Sequence, residues 1–400
     1  AAATLYGAEA AAGVIQVITK KGARGQQSTR WTARYERGEN EWALDTPVNY
    51  TFCNQAKVDS TNAAGPIWPG CQGRVNQFIT DEPMRRDPDA MRVGDLEKLS
   101  LSLRGGGERY SFYVSGDHDR DEGIFFNSFA RRRSGRGNFN FVPTEKLDFG
   151  VNVSYIHTDL RLPFQDETAN SVLLSAARGK PGRVSVVGEG WSTASPRVSN
   201  RYKNNTVSDR MTFGGTVNFR PKTWFRNRFI AGLDYTASEA TLLLLPGEFD
   251  TPEGYSAKRV PRTRVYTLDY TGSVDKQLPW DLLSTTSVGS QVVSSRTERL
   301  DASGTGLGAP DVTIIGTATT TAGNNTFSEQ NSVGYYLQEQ LAWRDRLYVP
   351  GAVRAQEPPL AALVAAARDL GPLGVTKVQS SGGEPLLRDG FLDVLDAVDT

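Results

Sequence analysis

Apolar and polar residues alternate with period two through most of this chain, and the gaps between the alternating runs come in two lengths. In Leu147–Tyr155 every odd position is apolar and every even one is small or polar, so a strand here has one greasy face and one wet face. The same rule holds for Leu99, Leu101 and Leu103 against Ser100, Ser102 and Arg104, for Tyr110, Phe112 and Val114, and for Met211, Phe213, Gly215, Val217 and Phe219. It returns in Phe229–Tyr235, in Tyr266, Leu268, Tyr270 and Val274, and in Tyr335, Leu337, Leu341 and Trp343. Short connections lie at Gly105–Gly107, Val142–Glu145, Pro221–Asn227 and Gln277–Trp280, and an intermediate one at Asp117–Asn127. Long polar ones span 37–96, 160–207, 242–261 and 301–326. Short and long alternate, as in an up-and-down barrel with tight turns at one end and long loops at the other. A soluble sandwich has shorter, more even connections. About ten strands are expected before residue 350, several of them long enough to cross a bilayer at a tilt. Trp31, Tyr155, Phe219, Trp224, Tyr235 and Trp343 are expected near strand ends, where aromatic girdles sit.

Bulk composition agrees once a barrel is considered. Mean hydropathy is −0.42, a soluble-looking value that a barrel also gives, because lumen-facing polar residues offset lipid-facing apolar ones. No run of eighteen apolar residues occurs, which excludes a transmembrane helix. Lys plus Arg and Asp plus Glu both total 45, so the net charge that nucleic acid relies on is missing, and no nucleic-acid partner is expected. Forty glycines suit a turn-rich β protein. Cys53 and Cys71 are the two cysteines. Zinc would need further ligands. A disulfide closing a loop of about eighteen residues in an oxidising compartment and two unpaired thiols in a mobile loop are the readings that stand.

The first residues carry a different grammar. Leu5-Tyr6-Gly7-Ala8-Glu9 leads through an Ala-rich stretch to Gly13-Val14-Ile15-Gln16-Val17-Ile18-Thr19-Lys20-Lys21-Gly22. A short helix, a Gly where backbones approach closely and a Val/Ile strand make a compact edge. This segment closely resembles the end of the plug domain of TonB-dependent outer-membrane transporters, within them the SusC/RagA-like branch. Arg30–Tyr35 resembles the first barrel strand of that family. Tyr110–Gly116, Asp121–Gly123, Arg131–Phe141, Tyr335–Gln340 and Trp343–Leu347 are similar to it too, so the likeness covers roughly 1–354. The resemblance implies an all-β fold: a partial transmembrane antiparallel barrel (25–354) with long extracellular loops, preceded by the end of a plug (1–24). The family's barrel has about 22 strands, so the chain is expected to be a fragment that does not transport alone. It further implies a bacterial outer-membrane location, lipid contact, uptake of a large nutrient (oligosaccharide or peptide), a TonB energiser complex and a surface lipoprotein lid. The plug-motif residues are Tyr6, Gly7, Gly13, Thr19, Lys20 and Gly22.

The texture changes near residue 351. Pro358–Gly371 reads as a helix, Val375–Gln379 as a strand and Leu386–Val398 as a second helix. This short α/β tail (355–400) resembles a βα unit of radical S-adenosylmethionine enzymes, in which the loop Gly382-Gly383-Glu384-Pro385 would touch the cofactor. The three-cysteine motif that holds that family's cluster is absent, so no working cofactor site, and no cofactor, is expected. A misassembly or read-through joining two unrelated genes near 351, or a real fusion, would account for it.

Other constellations weigh less. Asp117–Glu122 offers clustered carboxylates for a cation, but reads better as a solvated loop at a strand end. Arg131, Arg132, Arg133 and Arg136 either line a lumen or pair with neighbouring carboxylates. Gly304, Gly306 and Gly308 lack the strand-to-helix context of a nucleotide loop. His118 and His157, the two histidines, support no triad. No metal site and no catalytic residue is expected. Ligand contacts are sought in loops 37–96 and 160–207, with Trp68, Trp191 and Tyr202 as aromatic examples. A radical S-adenosylmethionine enzyme and a passive pore or adhesin barrel are the alternatives.

Overall fold

The computed structural model describes Gly22, Gly25 and residues 28–355, apart from Asp166, 248–251, 310–311 and Asp345. Five of the six plug-motif residues (Tyr6, Gly7, Gly13, Thr19 and Lys20) and the Gly382–Pro385 loop with its tail lie outside the described residues.

One antiparallel sheet of eleven strands dominates the chain. Its members are β1 (Arg30–Asn40), β6 (Gly94–Gly106), β7 (Tyr110–Glu122), β8 (Phe129–Thr144), β9 (Leu147–Arg161), β10 (Lys203–Lys222), β11 (Phe225–Leu244), β12 (Tyr255–Leu278), β13 (Leu282–Thr305), β14 (Thr320–Trp343) and β15 (Leu347–Ala355). They pair in that order, each with its neighbours in sequence. Four short strands lie in the connection after β1: β2 (Asn49–Cys53) pairs with β5 (Gln77–Asp81), and β3 (Thr61–Asn62) with β4 (Gly65–Pro66).

Register sorts the side chains into two faces. Leu101, Gly116, Gly135, Tyr155, Met211 and Tyr235 form one cross-strand row, and Leu103, Val114, Gly137, Val153, Phe213 and Leu233 the next. Most large members of these rows are well exposed, Tyr155 at 49 % and Leu101 at 47 %. The opposite face carries Ser102, Ser115, Arg136, Ser154, Thr212 and Asp234. Every strand thus turns its apolar side the same way, which water does not favour and lipid does. On β9, β10 and β12 the apolar row runs from Leu147 to Tyr155, Phe219 to Met211 and Val274 to Tyr266. Each is about nine residues, roughly 27 Å of strand and about 21 Å of height at a ~40° tilt, close to the ~25 Å band of a membrane barrel.

The strands run further than their alternation reveals. The long connections expected at 242–261 and 301–326 shrink to 245–254 and 306–319, because β11 to β14 continue as strands of 20 to 24 residues. Above the apolar band both faces are wet, so the period-two contrast vanishes while the ladder persists. Polar cross-strand pairs hold it: the Thr263 and Thr297 hydroxyls lie 3.0 Å apart, and Arg259 Nε donates to Asp301 at 3.0 Å. The same cause corrects Asp117–Glu122, which is strand rather than loop. Its carboxylates are used structurally: Ser100 donates to Asp117 at 2.6 Å, and Arg132 to Asp119 at 3.0 Å. Tyr155 and Tyr235 stand mid-strand, whereas Trp31, Phe219 and Trp343 lie near strand ends and Trp224 in a turn.

The short turns are tightly fixed. At 279–281 Trp280 and Asp281 both take left-handed backbone (φ 65° and 59°), which lets a three-residue link reverse the chain without splaying the strands. Trp343 Nε1 donates to Trp280 O at 3.1 Å and Arg344 Nε to Asp281 Oδ2 at 3.1 Å, tying this turn to the next.

Candidate functional site

Two surfaces stand apart from the apolar face: the polar face of the sheet and the folded loops at its long-loop end. The barrel strands form no conventional core. The buried apolar cluster instead joins three loops: Met84 and Ala90 from 41–93, Phe125 from 123–128, and Val172, Ala176 and Trp191 from 162–202. These loops make a cap with its own interior.

Specific polar contacts fix the cap. Asn49 Nδ2 donates to Ala176 O at 2.7 Å and to Gly190 O at 3.0 Å. Ser171 caps the helix Val172–Ala177, accepting from Leu174 N at 3.1 Å. Ser175 Oγ donates to Ala194 O at 2.7 Å. The Arg86 fork donates twice to Asp81, both at 2.9 Å, and also reaches Glu189 O. Its hydrogen bond to Asp81 raises the guanidinium pKa further. Gly70 N donates to Gly182 O at 3.0 Å, and a Cβ on Gly70 would run into the Gly182 backbone. The structure joins Cys53 to Cys71 in a disulfide, with both sulfurs buried in the cap.

The three aromatics singled out from sequence meet different fates. Trp191 is 3 % exposed within the cap core, so it builds the cap and does not face a ligand. Tyr202 stacks on Phe164 with ring centroids 3.6 Å apart, and burial raises its phenol pKa. Trp68 lies between two cations, Lys57 at 5.0 Å and Arg183 at 5.7 Å from its ring. The aromatics that do face solvent were missed. Tyr50, Phe52 and Phe78 sit on β2 and β5, with Tyr50–Phe78 centroids 6.1 Å and Phe52–Phe78 centroids 5.0 Å apart. Tyr50 is 69 % and Phe78 65 % exposed. The signal was available: Asn49-Tyr50-Thr51-Phe52-Cys53 alternates with period two inside a stretch otherwise read as loop.

On the polar face a cavity of about 500 Å³ opens toward the long-loop ends of β10 to β14, lined among others by Asn204, Tyr255, Arg259, Asp301, Ser303 and Asn324. Asp301 accepts from Arg259 at 3.0 Å and from Arg299 at 2.7 Å. Amides, a hydroxyl-bearing ring and two guanidinium groups held by one carboxylate can hydrogen-bond a polar solute. A second cavity of about 410 Å³ lies toward the short-turn end, lined by Asn138, Asn140, Asn152, Asn218, Arg228 and Gly22 among others. Gly22 presses against β6 and β7, where a Cβ would meet the backbone of Phe112 and Gly105. Gly25 N donates to Gly107 O at 3.0 Å. The residue the sequence placed at the plug exit thus lies on the polar, lumen-side wall, which requires glycine for close approach. His157 Nδ1 lies 2.8 Å from Asp209 on the apolar side of the sheet, away from both cavities.

No family model matches the chain. A TonB-dependent receptor P3 of Formosa agariphila is 25 % identical over 152 residues, 38 % of this chain and 14 % of that protein. Among solved structures, the RagAB peptide importer in a closed-closed state superposes with a TM-score of 0.66 over 88 % of this chain and 44 % of that one, at 16 % identity. The RagAB peptide transporter gives 0.66, with 88 % and 45 % covered, at 18 % identity. The sheet has the fold of a TonB-dependent transporter barrel. As an outer-membrane barrel it turns its apolar face to lipid. The matched proteins are receptors and importers, not enzymes. Nothing among the comparisons supports the radical S-adenosylmethionine likeness of the tail. The chain spans under half the length of the RagAB chains and a smaller share of the receptor.

Proposed function

We propose that this chain is part of a TonB-dependent outer-membrane importer of large nutrients, an oligosaccharide or a peptide. Residues 1–24 would end its plug, 25–354 would form part of its barrel, and 355–400 would be an unrelated tail. The observation that carries the reading is a polar lumen-side cavity at the long-loop ends of strands whose loops fold into a cap; those ends would face the exterior. The exposed Tyr50–Phe52–Phe78 ledge on that cap suits the flat faces of sugar rings or peptide side chains. A TonB energiser would act on the plug from the periplasm, and a surface lipoprotein would close over the cap.

Among the described residues β1 and β15 each pair on one side only. Lipid does not tolerate unpaired strand edges, so a working barrel needs further strands. This chain alone is therefore expected to give no solute flux in liposomes, and flux would refute its partial nature. In the intact importer, Arg259→Ala with Asn204→Ala should lower uptake of the nutrient about tenfold with normal surface levels, since two hydrogen bonds are lost. Uptake that survives TonB depletion would point to a passive pore instead.

A further inference from the structure

In the cap, β2 and β5 form a two-stranded sheet, and neither pairs with a third strand among the described residues. One face is fixed on the cap. Cys53 is joined to Cys71, Asn49 is held by its two hydrogen bonds, and a Cβ on Gly182 would run into Ile79 Cδ1. The other face is the Tyr50–Phe52–Phe78 ledge. Along a strand, main-chain groups turn alternately toward and away from a given neighbour. Asn76 N donates to Cys53 O at 2.7 Å, so Cys53 turns toward the β5 side, and Thr51 and Asn49 do so by alternation. Tyr50 and Phe52, with their partners Thr80 and Phe78 on β5, therefore turn their N–H and C=O away from the ladder. Lys57 Nζ agrees: it donates to Phe52 O at 2.7 Å from outside the sheet.

That lysine occupies the β2 edge. On the β5 edge the N–H and C=O of Phe78 and Thr80 have no backbone partner among the described residues, and both residues are exposed. These groups repeat every second residue, about 7 Å along the strand, which is the repeat of another extended main chain. A sugar has hydroxyls but no such alternating row of donors and acceptors. Charge gives the direction. The connection 54–76, at the Gln77 end of β5, carries Lys57 and Arg74 against one acid, Asp59. Arg183 joins them there, since it and Lys57 both approach the Trp68 ring. At the Asp81 end, Asp45, Asp81 and Glu82 face Arg85 and Arg86. A strand added antiparallel to β5 brings its C-terminal carboxylate to the cationic end and its amino group to the anionic one.

We propose that the β5 edge binds an extended peptide as a third, antiparallel strand, with its free carboxylate beside Arg74. Main-chain pairing supplies affinity that tolerates many sequences. Phe78, flanked by Tyr50 and Phe52 on the ledge, favours an apolar side chain at the position directly opposite it. This site rests on the importer reading given above and narrows its cargo to peptide, met first at the cap.

The test titrates the intact importer, in detergent, with an unblocked hexapeptide of alternating Thr and Val, and with maltohexaose. An apolar side chain opposite Phe78 sets the frame, so the Val amides face β5. N-methylation of the Val amides should weaken binding about tenfold or more, and N-methylation of the Thr amides should change it less than about twofold. Thr80→Pro removes one N–H at an edge position, where proline is tolerated, and should weaken the peptide about tenfold. Arg74→Gln, an exposed change, should weaken the unblocked peptide about threefold and leave the C-terminally amidated one unchanged. Equal weakening by the two methylation patterns, unchanged binding by Thr80→Pro in a cap that still resists protease, or an Arg74→Gln effect that survives amidation would each overturn the site. So would maltohexaose binding that Phe78→Ala abolishes in a protein that ignores the peptide. Peptide that pairs as described but enters cells without TonB would instead refute the importer reading while supporting the strand site.

Discussion

Single side chains in the cap contribute most of what holds it, because its core is small and its loops are long. Trp191 fills the centre of that core beside Met84, Phe125 and Val172. Trp191→Ala should cost about 3 to 5 kcal/mol of cap stability by loss of buried area and creation of a cavity. Limited proteolysis would show early cleavage in 162–202 with the strands still protected. The Cys53–Cys71 bridge spans 18 residues. In the chain-entropy model it restrains the open loop by about 3 kcal/mol, so Cys71→Ser should free the β2–β5 hairpin to protease while leaving membrane insertion unchanged. Surface ion pairs such as Arg37–Asp95, with Arg37 exposed and Asp95 half-buried, should contribute under about 1 kcal/mol, because water and salt screen them.

At the level of elements, the two faces of each strand predict opposite tolerances. Leu268 and Thr267 are neighbours on β12, one on the lipid face and one on the lumen face. Leu268→Arg should cost about 2 to 4 kcal/mol, as a charge placed in the apolar band, and Thr267→Arg far less. Urea-dependent folding into vesicles would measure both. The period-two rows that make this prediction were legible in the sequence wherever one face meets lipid, as at Leu147–Tyr155. They faded where both faces are wet, and so three to seven residues at the upper end of each of β11 to β14 were read as loop. Within the cap no periodicity spans the chain, since its core is assembled from residues as distant as Met84 and Trp191. Such non-local packing leaves no local trace, and Trp191 looked like a ligand contact for that reason. At Gly22 a close backbone approach leaves no room for a Cβ, a requirement that single-residue patterning does not reveal.

For the whole molecule the question is what the exposed apolar face meets. A sheet with Tyr266, Leu268, Tyr270 and Val274 bared on one strand, and matching rows on its neighbours, would aggregate in water. A bilayer removes that liability and also explains why the only buried apolar cluster found among the described residues sits in the loops. The native cysteines are joined in the cap, so they offer no background to thiol chemistry under oxidising conditions. Single cysteines placed in turn along β12 from 262 to 276 in the intact barrel, and probed in membranes with a water-soluble thiol reagent, test this account most directly. Positions 266, 268, 270, 272 and 274 should be shielded from the reagent and sensitive to a lipid-borne quencher, while 267, 269, 271 and 273 react from the lumen and 262 and 264 react from outside. Uniform reactivity along 266–274, or shielding of the odd positions instead, would contradict a membrane-spanning barrel with this face to the lipid.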